Sequence, residues 1–248
     1  GWEVNPDSRV LQGFDSRIQG FSSARVPALP YLAHSGESIV KAISVAPPQG
    51  QPPNSCGRLD RQIPEANPNV STEGVCLDSA AVLTVLDAPL GNSADYFRPP
   101  YVAAPKTLRR ISALHTELLP SLTPPAVAPS LASLTALIAP VQLDHFSHWG
   151  VGLKPLKNYL TYSQSYQYFA VESVYGTYGA NLSMRNNDIA LRLMLNDSLA
   201  EKRALLVNFV QQGIDLGAMV EHLNQNFSPG GGHGQGRLLP IVFAGIML

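Results

Sequence analysis

Residues 198–223 read SLAEKRALLVNFVQQGIDLGAMVEHL, and this stretch decides how the second half of the chain folds. Ser198 and Glu201 form a capping-box pattern at its start. The apolar residues that follow recur at the spacing of one helical face, with the small Gly213 on the same face: Leu205, Leu206, Phe209, Val210, Ile214 and Leu216. The stretch therefore predicts a long amphipathic helix that begins after Ser198 and frays toward residues 221–232.

Two segments before this helix have similar signals. Ser130 can cap the segment LASLTALIA, because its hydroxyl can accept from a free amide of the first turn. The segment NNDIALRLMLN at residues 186–196 has helical apolar spacing and good helix formers. We therefore predict that residues 131–248 form a mainly α-helical domain, in which antiparallel helix pairs build an incomplete α/α toroid or a helical bundle.

The first half of the chain has a different character, because 17 of the 21 prolines lie before residue 130. Proline interrupts helices, and the apolar runs here are short and rich in β-branched residues. Residues 24–44 predict a hairpin that turns at HSGE (34–37), and SAAVLTVLDAP (79–89) predicts a further strand. The expected class is α+β, with a β-sandwich-like module at residues 1–104 and a Pro-rich connector at 105–130.

The composition excludes some partners. The chain has 17 basic and 18 acidic residues and a net charge of −1, and no basic tract that would bind nucleic acid. The longest apolar run, Leu238–Leu248, has 11 residues, whereas a membrane span needs about 18 or more. Because this run has no capping residue or polar tail, we expect the chain to be a piece of a longer or processed protein. Missing parts of that protein, or neighbouring subunits, are expected to pack against the last helix.

Cys56 and Cys76 are the only two cysteines. In an exported protein they predict one disulfide that closes a polar, Pro-rich loop; the alternative is two free thiols. Two cysteines without a neighbouring histidine do not make a zinc site. We expect no metal and no other cofactor.

Residues 230–236, GGGHGQG, contain five glycines and precede Arg237 and an apolar run. No Lys-Ser/Thr pair follows, so this is not a phosphate-binding loop of the Walker type. We predict a loop before a helix, with Pro240 in the first turn. Glycines allow a ligand to approach the backbone closely, His233 could move a proton, and Arg237 could clamp a carboxylate with two hydrogen bonds. The alternative is a flexible connector with an exposed histidine and a capping arginine.

Aromatic side chains form a second candidate site, since six of the nine tyrosines lie between residues 159 and 178. Tyr159, Tyr162 and Tyr166 share one helical face by spacing. Such a face predicts a wall that binds carbohydrate, although an ordinary packing surface has the same pattern.

A third cluster contains Asp144, His145, His148 and Trp149. Two histidines at this spacing could bind a metal, but no third ligand is evident. We therefore expect a structural role or a place in a sugar subsite. Glu172 and Asp188 are the candidates for a glycoside hydrolase pair, although nothing specific singles them out.

The segments AAVLTVLDAPLGNSADYFRPPYVAAPK (80–106) and GGGHGQGRLLPIVFAGIML (230–248) resemble parts of large exported bacterial proteins of uncharacterised function. In that group a β-rich front half precedes a helical half. The resemblance extends over residues 36–248, and its second motif is the more specific one. It implies an extracellular or periplasmic protein that continues past Leu248 with further helices.

A looser resemblance is to polysaccharide lyases with helical-toroid folds, although no lyase signature matches residue by residue. Those enzymes cleave uronate polymers by β-elimination, which needs a carboxylate neutraliser, a base and an acid. The resemblance implies His233 and Arg237 at the reactive point, with Arg237 on the uronate carboxylate and Tyr178 or Tyr166 exchanging the proton. Further residues are expected to bind the polysaccharide: Tyr159, Tyr162, Tyr166, Asn181 and Trp149. The alternatives are a non-catalytic glycan-binding protein, a filament or shell component, and a glycoside hydrolase.

Overall fold

The computed structural model describes residues 1–9, 11–16, 21–45, 62–63, 76–102, 104–145, 161–162, 179–225, 227 and 232–248. The strands in these ranges are β1 (Trp2–Val4), β2 (Ser38–Val45), β3 (Gln62–Ile63), β4 (Cys76–Thr84), β5 (Tyr96–Phe97), β6 (Arg109–Arg110) and β7 (Thr161–Tyr162). The helices are α1 (Leu131–Ile138), α2 (Gly179–Leu193), α3 (Leu199–Leu223) and α4 (His233–Met247). The predicted α+β class is confirmed.

Five strands form one antiparallel sheet in the order β1-β2-β4-β3-β7, and β5 pairs with β6 separately. The centre of the larger sheet is the β2–β4 pair, in which Val40 lies opposite Val82. Alternate residues of β2 face opposite sides, so that Val40 and Ala42 are buried while Ile43 is half-exposed. One side of this sheet therefore packs on the core.

The sequence predicted the strands better than their pairing. SIVKAIS forms most of β2, and SAAVLT forms most of β4. The predicted hairpin at residues 24–44 is wrong, because β2 pairs with β1 and β4 and no strand lies between residues 26 and 37. Pro27 and Pro30 lack the N–H groups that a strand needs for its ladder.

The predicted helix caps are confirmed. Ser198 N–H donates to Glu201 Oε2 at 2.8 Å, and Glu201 N–H donates to Ser198 Oγ at 3.3 Å. Ser133 N–H donates to Ser130 Oγ at 3.3 Å, which caps α1. The reciprocal bonds between Ser198 and Glu201 fix the start of α3 directly after Ser198, as the sequence predicts.

The start of α4 differs from the prediction. The helix begins at His233, so that Gly234 and Gly236 are helical, and Pro240 lies in its interior rather than in its first turn. This α4 packs against both α2 and α3. Where it crosses α3, a Cβ atom at Gly213 would overlap the carbonyl of Pro240. The small residue therefore allows the two helices to approach closely.

Two apolar clusters form the core of the described part of the chain. The first joins the four helices with Phe97, Ile111 and Leu114. The second packs the sheet on the C-terminal half of α3, and includes Phe14, Val40, Tyr101, Leu143, Leu216 and Met219. Among the helices described, none combines the length and apolarity needed to cross a membrane.

Candidate functional site

Arg237 is buried and paired with Asp144. Both side chains are almost fully covered, at 3% and 6% exposure. The guanidinium donates from Nε to Asp144 Oδ2, and from Nη2 to Oδ1 at 3.0 Å. This two-pronged geometry is the strongest arrangement for such a pair. The prediction that Arg237 clamps a substrate carboxylate is therefore corrected, because Asp144 already occupies its hydrogen-bonding fork.

Tyr101 holds the segment that carries Asp144. Its hydroxyl donates to the carbonyl of Gln142 at 3.1 Å and accepts from the backbone N–H of Asp144 at 2.9 Å. Burial, reinforced by the negative charges of Asp215 and Asp144, raises the pKa of the Tyr101 hydroxyl well above its ordinary value. The hydroxyl therefore keeps its proton and remains a donor.

His145 has structural contacts. The side chain is fully buried, with Nε2 at 3.3 Å from Glu3 Oε2. Its ring packs edge-on against Tyr101, at 5.5 Å between ring centres, and against Phe14 at 6.0 Å. Within the part of the chain that the structure describes, no three metal-ligating side chains come together. His148 lies outside the described residues.

Most of the other predicted site residues are not tested. Outside the described residues lie Trp149, Tyr159, Tyr166, Tyr178 and Cys56. Only the backbone is described for Tyr162 in β7, Asn181 in α2, His233 at the start of α4 and Cys76 at the start of β4. The Cys56–Cys76 disulfide therefore stays a prediction.

A cavity of about 440 Å³ lies between the end of α3 and the start of α4. The chain leaves α3 through Asn224, which has left-handed backbone angles (φ 50°, ψ 41°). Gln225 N–H then donates to the Met219 carbonyl at 3.1 Å, which closes the helix end in the manner of a Schellman turn. This turn places Gln225 and Phe227 in the wall of the cavity.

The wall is mostly apolar. Val220 comes from α3, and Leu238 and Ile241 come from α4. Phe227 comes from the segment of the chain that connects these two helices. The Arg237 guanidinium lies over that ring, with Cζ at 5.1 Å from the ring centre. The buried Arg237–Asp144 pair therefore supports the aromatic part of the wall.

The polar side chains among the described lining residues are those of Gln225 and Gln235. Gln225 is 3% exposed, and its Oε1 has no hydrogen-bond partner among the described residues. Gly234 and Gln235, in the first turn of α4, also line the cavity. The first amides of a helix have no acceptor within it, and Gly232 at the N-cap has no side chain with which to cap them.

Sequence reasoning missed Gln225 and Phe227. They belong to no motif, and they lie in NQNFSP, where the helical pattern fades. The one available signal was Asn224, because asparagine is common in the left-handed residue after a helix.

No protein-family model matches the chain, and comparisons with curated proteins and with solved structures found no match. Function therefore has to be argued from the site. The cavity combines an aromatic and aliphatic wall with glutamine side chains, and this arrangement is suited to binding.

Proposed function

We propose that this protein binds carbohydrate in the cavity between α3 and α4, as part of an exported carbohydrate-active protein. The observation that supports this proposal is the cavity wall, in which the Phe227 ring and the aliphatic side chains of Val220, Leu238 and Ile241 lie together with glutamine side chains. A sugar matches both features, because it has an apolar C–H face and hydroxyl donors. The volume of about 440 Å³ is also within the usual range of small-ligand sites.

A ligand in this cavity buries apolar surface. Val220 and Leu238 are 45% and 57% exposed. When the apolar face of a sugar covers them and the Phe227 ring, the complex is stabilised by about 25 cal/mol for each Å² of apolar surface removed from water.

A finer form of the proposal is polysaccharide lyase-like β-elimination on a uronate-containing polymer. Its support is the contact between the N-terminal ends of α2 and α4, where Ser183 Oγ donates to the Gly232 carbonyl at 2.8 Å. Asn181 lies in the first turn of α2, Tyr178 precedes that helix, and His233 begins α4. We assign the proton transfers to His233 and Tyr178. Because Arg237 is engaged by Asp144, Asn181 remains as the proposed neutraliser of the carboxylate.

The fold details that accompany this proposal are a β-sandwich-like first module and an α/α toroid-like second domain. The outer face of the sheet has exposed Ile43 and Leu83, which a second sheet would cover. The toroid-like part of the proposal is based on the packing of α4 against both α2 and α3. We place the protein outside the cell or in the periplasm, with Cys56 and Cys76 joined as a disulfide.

The test is a screen of the intact protein against a panel of neutral and uronate polysaccharides. Binding is followed by calorimetry, and β-elimination by the ultraviolet absorbance of unsaturated products. We expect binding that Phe227→Ala weakens, and an absorbance rise that His233→Ala or Tyr178→Phe abolishes. Leu83→Ala on the outer face of the sheet is the control. Failure of every polysaccharide to bind to the folded protein would refute the proposed function. Binding with no absorbance rise would refute only the lyase chemistry.

A second candidate function is assembly with another copy of the chain. Leu238, Val242 and Ile246 recur every four residues on α4 and are 57%, 47% and 55% exposed. This stripe has no charge, and the net charge of −1 gives little repulsion between copies. Light scattering with and without Val242→Glu tests it: assembly predicts a dimer or larger form that the charge disrupts, and a monomer at all concentrations would exclude it.

A further inference from the structure

We propose that two copies of the chain pack antiparallel along α4, and that Leu238 of each copy fills a cavity beside Gly245 of the other. This inference rests on the second candidate function, assembly with another copy, and makes its geometry specific. It is independent of carbohydrate binding. The argument has three parts: the cavity, the position of Leu238 relative to it, and the symmetry that brings the two together.

The first part concerns the cavity. A second space between α3 and α4, which we call the glycine cavity, has a volume of about 230 Å³, and its lining includes Gly217, Gly245 and Ile241. A Cβ atom at Gly245 would meet nothing within 4 Å, and one at Gly217 would meet only Ile241 Cγ2 at 3.9 Å. Glycine inside a helix is less favourable than alanine, because it loses more backbone freedom on folding. Since no contact among the described residues requires these two glycines, we interpret them as leaving room for a side chain from another molecule.

The lining of the glycine cavity suits an aliphatic side chain. Besides the glycines, its wall contains apolar residues from several parts of the chain: Pro100, Pro105, Ile214 and Leu248. The ionisable residues among its described lining are Glu221 and His222, whose side chains lie 3.7 Å apart. The Glu221 side chain is 76% exposed, so its charge stays in contact with water. A leucine in this cavity would therefore lose water from its apolar surface without burying a free charge.

The second part concerns Leu238, which is 57% exposed on α4. Leu238 and Gly245 are seven residues apart in the sequence. Seven residues make almost two helical turns, so both positions lie on the same side of α4. Gly245 is itself exposed, and the glycine cavity therefore opens on this side. The protruding leucine and the cavity are about 10 Å apart along the helix axis.

The third part concerns symmetry. The point midway between Leu238 and Gly245 falls between Ile241 and Val242. A two-fold axis perpendicular to α4 at this point places Leu238 of one copy opposite Gly245 of the other, and the reverse contact forms at the same time. A symmetric dimer requires such a self-complementary surface, which identifies a second copy as the occupant of the cavity.

The orientation of the two helices is also favourable. Because α4 spans His233–Met247, its middle lies close to the proposed axis, and the two copies of α4 overlap along most of their length. Their opposite directions place helix ends of opposite partial charge near each other. The stripe of Leu238, Val242 and Ile246 has no charge, so neither copy has to bury one.

The contact is small for an interface between proteins. α4 has 15 residues and is about 22 Å long, whereas stable interfaces bury about 800 Å² on each partner. We therefore expect a reversible dimer that dissociates on dilution.

The first experiment is sedimentation velocity of the full chain over a concentration series, in which we expect monomer and dimer in exchange. Leu238→Ala removes most of the side chain that fills the glycine cavity, and should raise the dimer dissociation constant about tenfold or more. The matched control is Leu83→Ala, because Leu83 is 62% exposed but lies on the sheet. It should leave the constant unchanged. Both positions are exposed, so neither change should prevent folding.

Cysteine cross-linking tests which residues face each other. Under mild oxidation, an equimolar mixture of Leu238→Cys and Gly245→Cys should give a disulfide-linked heterodimer. Leu238→Cys alone should not link to itself, because its counterpart lies about 10 Å away along the axis and a disulfide cannot join Cα atoms more than about 7 Å apart. The unsubstituted protein, which retains Cys56 and Cys76, is the blank.

The outcomes separate this inference from the function on which it rests. A monomer at all concentrations overturns the assembly function and this inference with it. A dimer that Leu238→Ala does not weaken overturns this inference alone. Self-linking of Leu238→Cys without linking in the mixture does the same, because it indicates parallel helices. A dimer that Leu238→Ala weakens and Leu83→Ala does not, with linking only in the mixture, supports both.

Discussion

The side-chain amide of Asn186 in α2 donates to the backbone carbonyl of Gly236 in α4, at 2.6 Å from Nδ2 to O. In a regular helix that carbonyl would accept from the N–H of residue 240. Residue 240 is proline and has no N–H. Asn186 therefore supplies the donor that Pro240 lacks, and Arg185 Nε orients it by donating to Asn186 Oδ1 at 3.1 Å.

Removal of this donor should destabilise the protein. We expect Asn186→Ala to lower the free energy of unfolding by about 1–3 kcal/mol, because a buried carbonyl is left without a partner. Asn187→Ala, at the exposed neighbouring position, is the control and should have little effect. Urea unfolding measures both. In a Pro240→Ala background, residue 240 has its own N–H, so the cost of Asn186→Ala should shrink. An equal cost in both backgrounds would contradict the pairing.

Two glycines in α3 should respond to alanine with opposite signs. Gly213→Ala would overlap the Pro240 carbonyl, and we expect a loss of about 1–3 kcal/mol from overpacking. At Gly217 the nearest atom to an added Cβ is Ile241 Cγ2 at 3.9 Å, an ordinary contact. Gly217→Ala should therefore stabilise the helix by about 0.5–1 kcal/mol. Thermal unfolding of the two variants decides the matter, and a stabilising Gly213→Ala would refute the close helix contact.

The buried Arg237–Asp144 pair should matter for stability. Asp144→Asn leaves a buried guanidinium without its counter-ion, and we expect a loss of about 3–5 kcal/mol. The double variant Asp144→Leu/Arg237→Met should recover most of it, because it removes both charges. Arg110→Gln is the control, since Arg110 is 56% exposed in its pair with Asp95 and exposed pairs contribute little. An Asp144→Asn variant that is as stable as the native protein and loses only polysaccharide affinity would contradict this prediction.

Lys106 should make stability depend on pH in the alkaline range. Burial, and to a lesser extent the charge of Arg98, lowers the pKa of Lys106 from 10.5 to about 8, whereas Asp215 acts in the opposite direction. Between about pH 8 and 10.5 the unfolded chain binds more protons at this residue than the folded one. Its contribution to stability therefore rises with pH across that window and is constant below it. Urea midpoints of the native protein and Lys106→Met should diverge in this window, and parallel curves would exclude the effect.

The sequence predicted the features that depend on neighbouring residues. The capping box of α3 needs only Ser198 and Glu201, and the cap of α1 needs only Ser130, so a short window contains the whole signal. The strands β2 and β4 were found for the same reason, because β-branched and apolar runs mark them locally.

The errors concern contacts between distant residues. The wrong hairpin assigned β2 to its nearest neighbour in sequence, whereas β2 pairs with β1 and β4. Arg237 was predicted to be free to bind a substrate carboxylate, because its partner Asp144 lies 93 positions away in the chain. Pro240 was predicted to lie in the first turn of a helix. It can lie inside α4 because Asn186 donates to the Gly236 carbonyl, and Asn186 lies 50 positions before Gly236 in the chain.

The candidate cavity was beyond sequence reasoning for a related reason. Gln225 and Phe227 gain their roles from the turn at Asn224 and from the distance between α3 and α4. Neither residue type is distinctive at that position, and the predicted chemistry was instead assigned to the conspicuous glycines and Arg237.

The two apolar clusters share α3. Its first half, with Leu205 and Phe209, packs among the helices, and its second half, with Leu216 and Met219, packs under the sheet. Loss of either cluster would expose one side of the same continuous helix. The sheet and the helices should consequently unfold together, in one cooperative transition, although the sequence divides them into two modules.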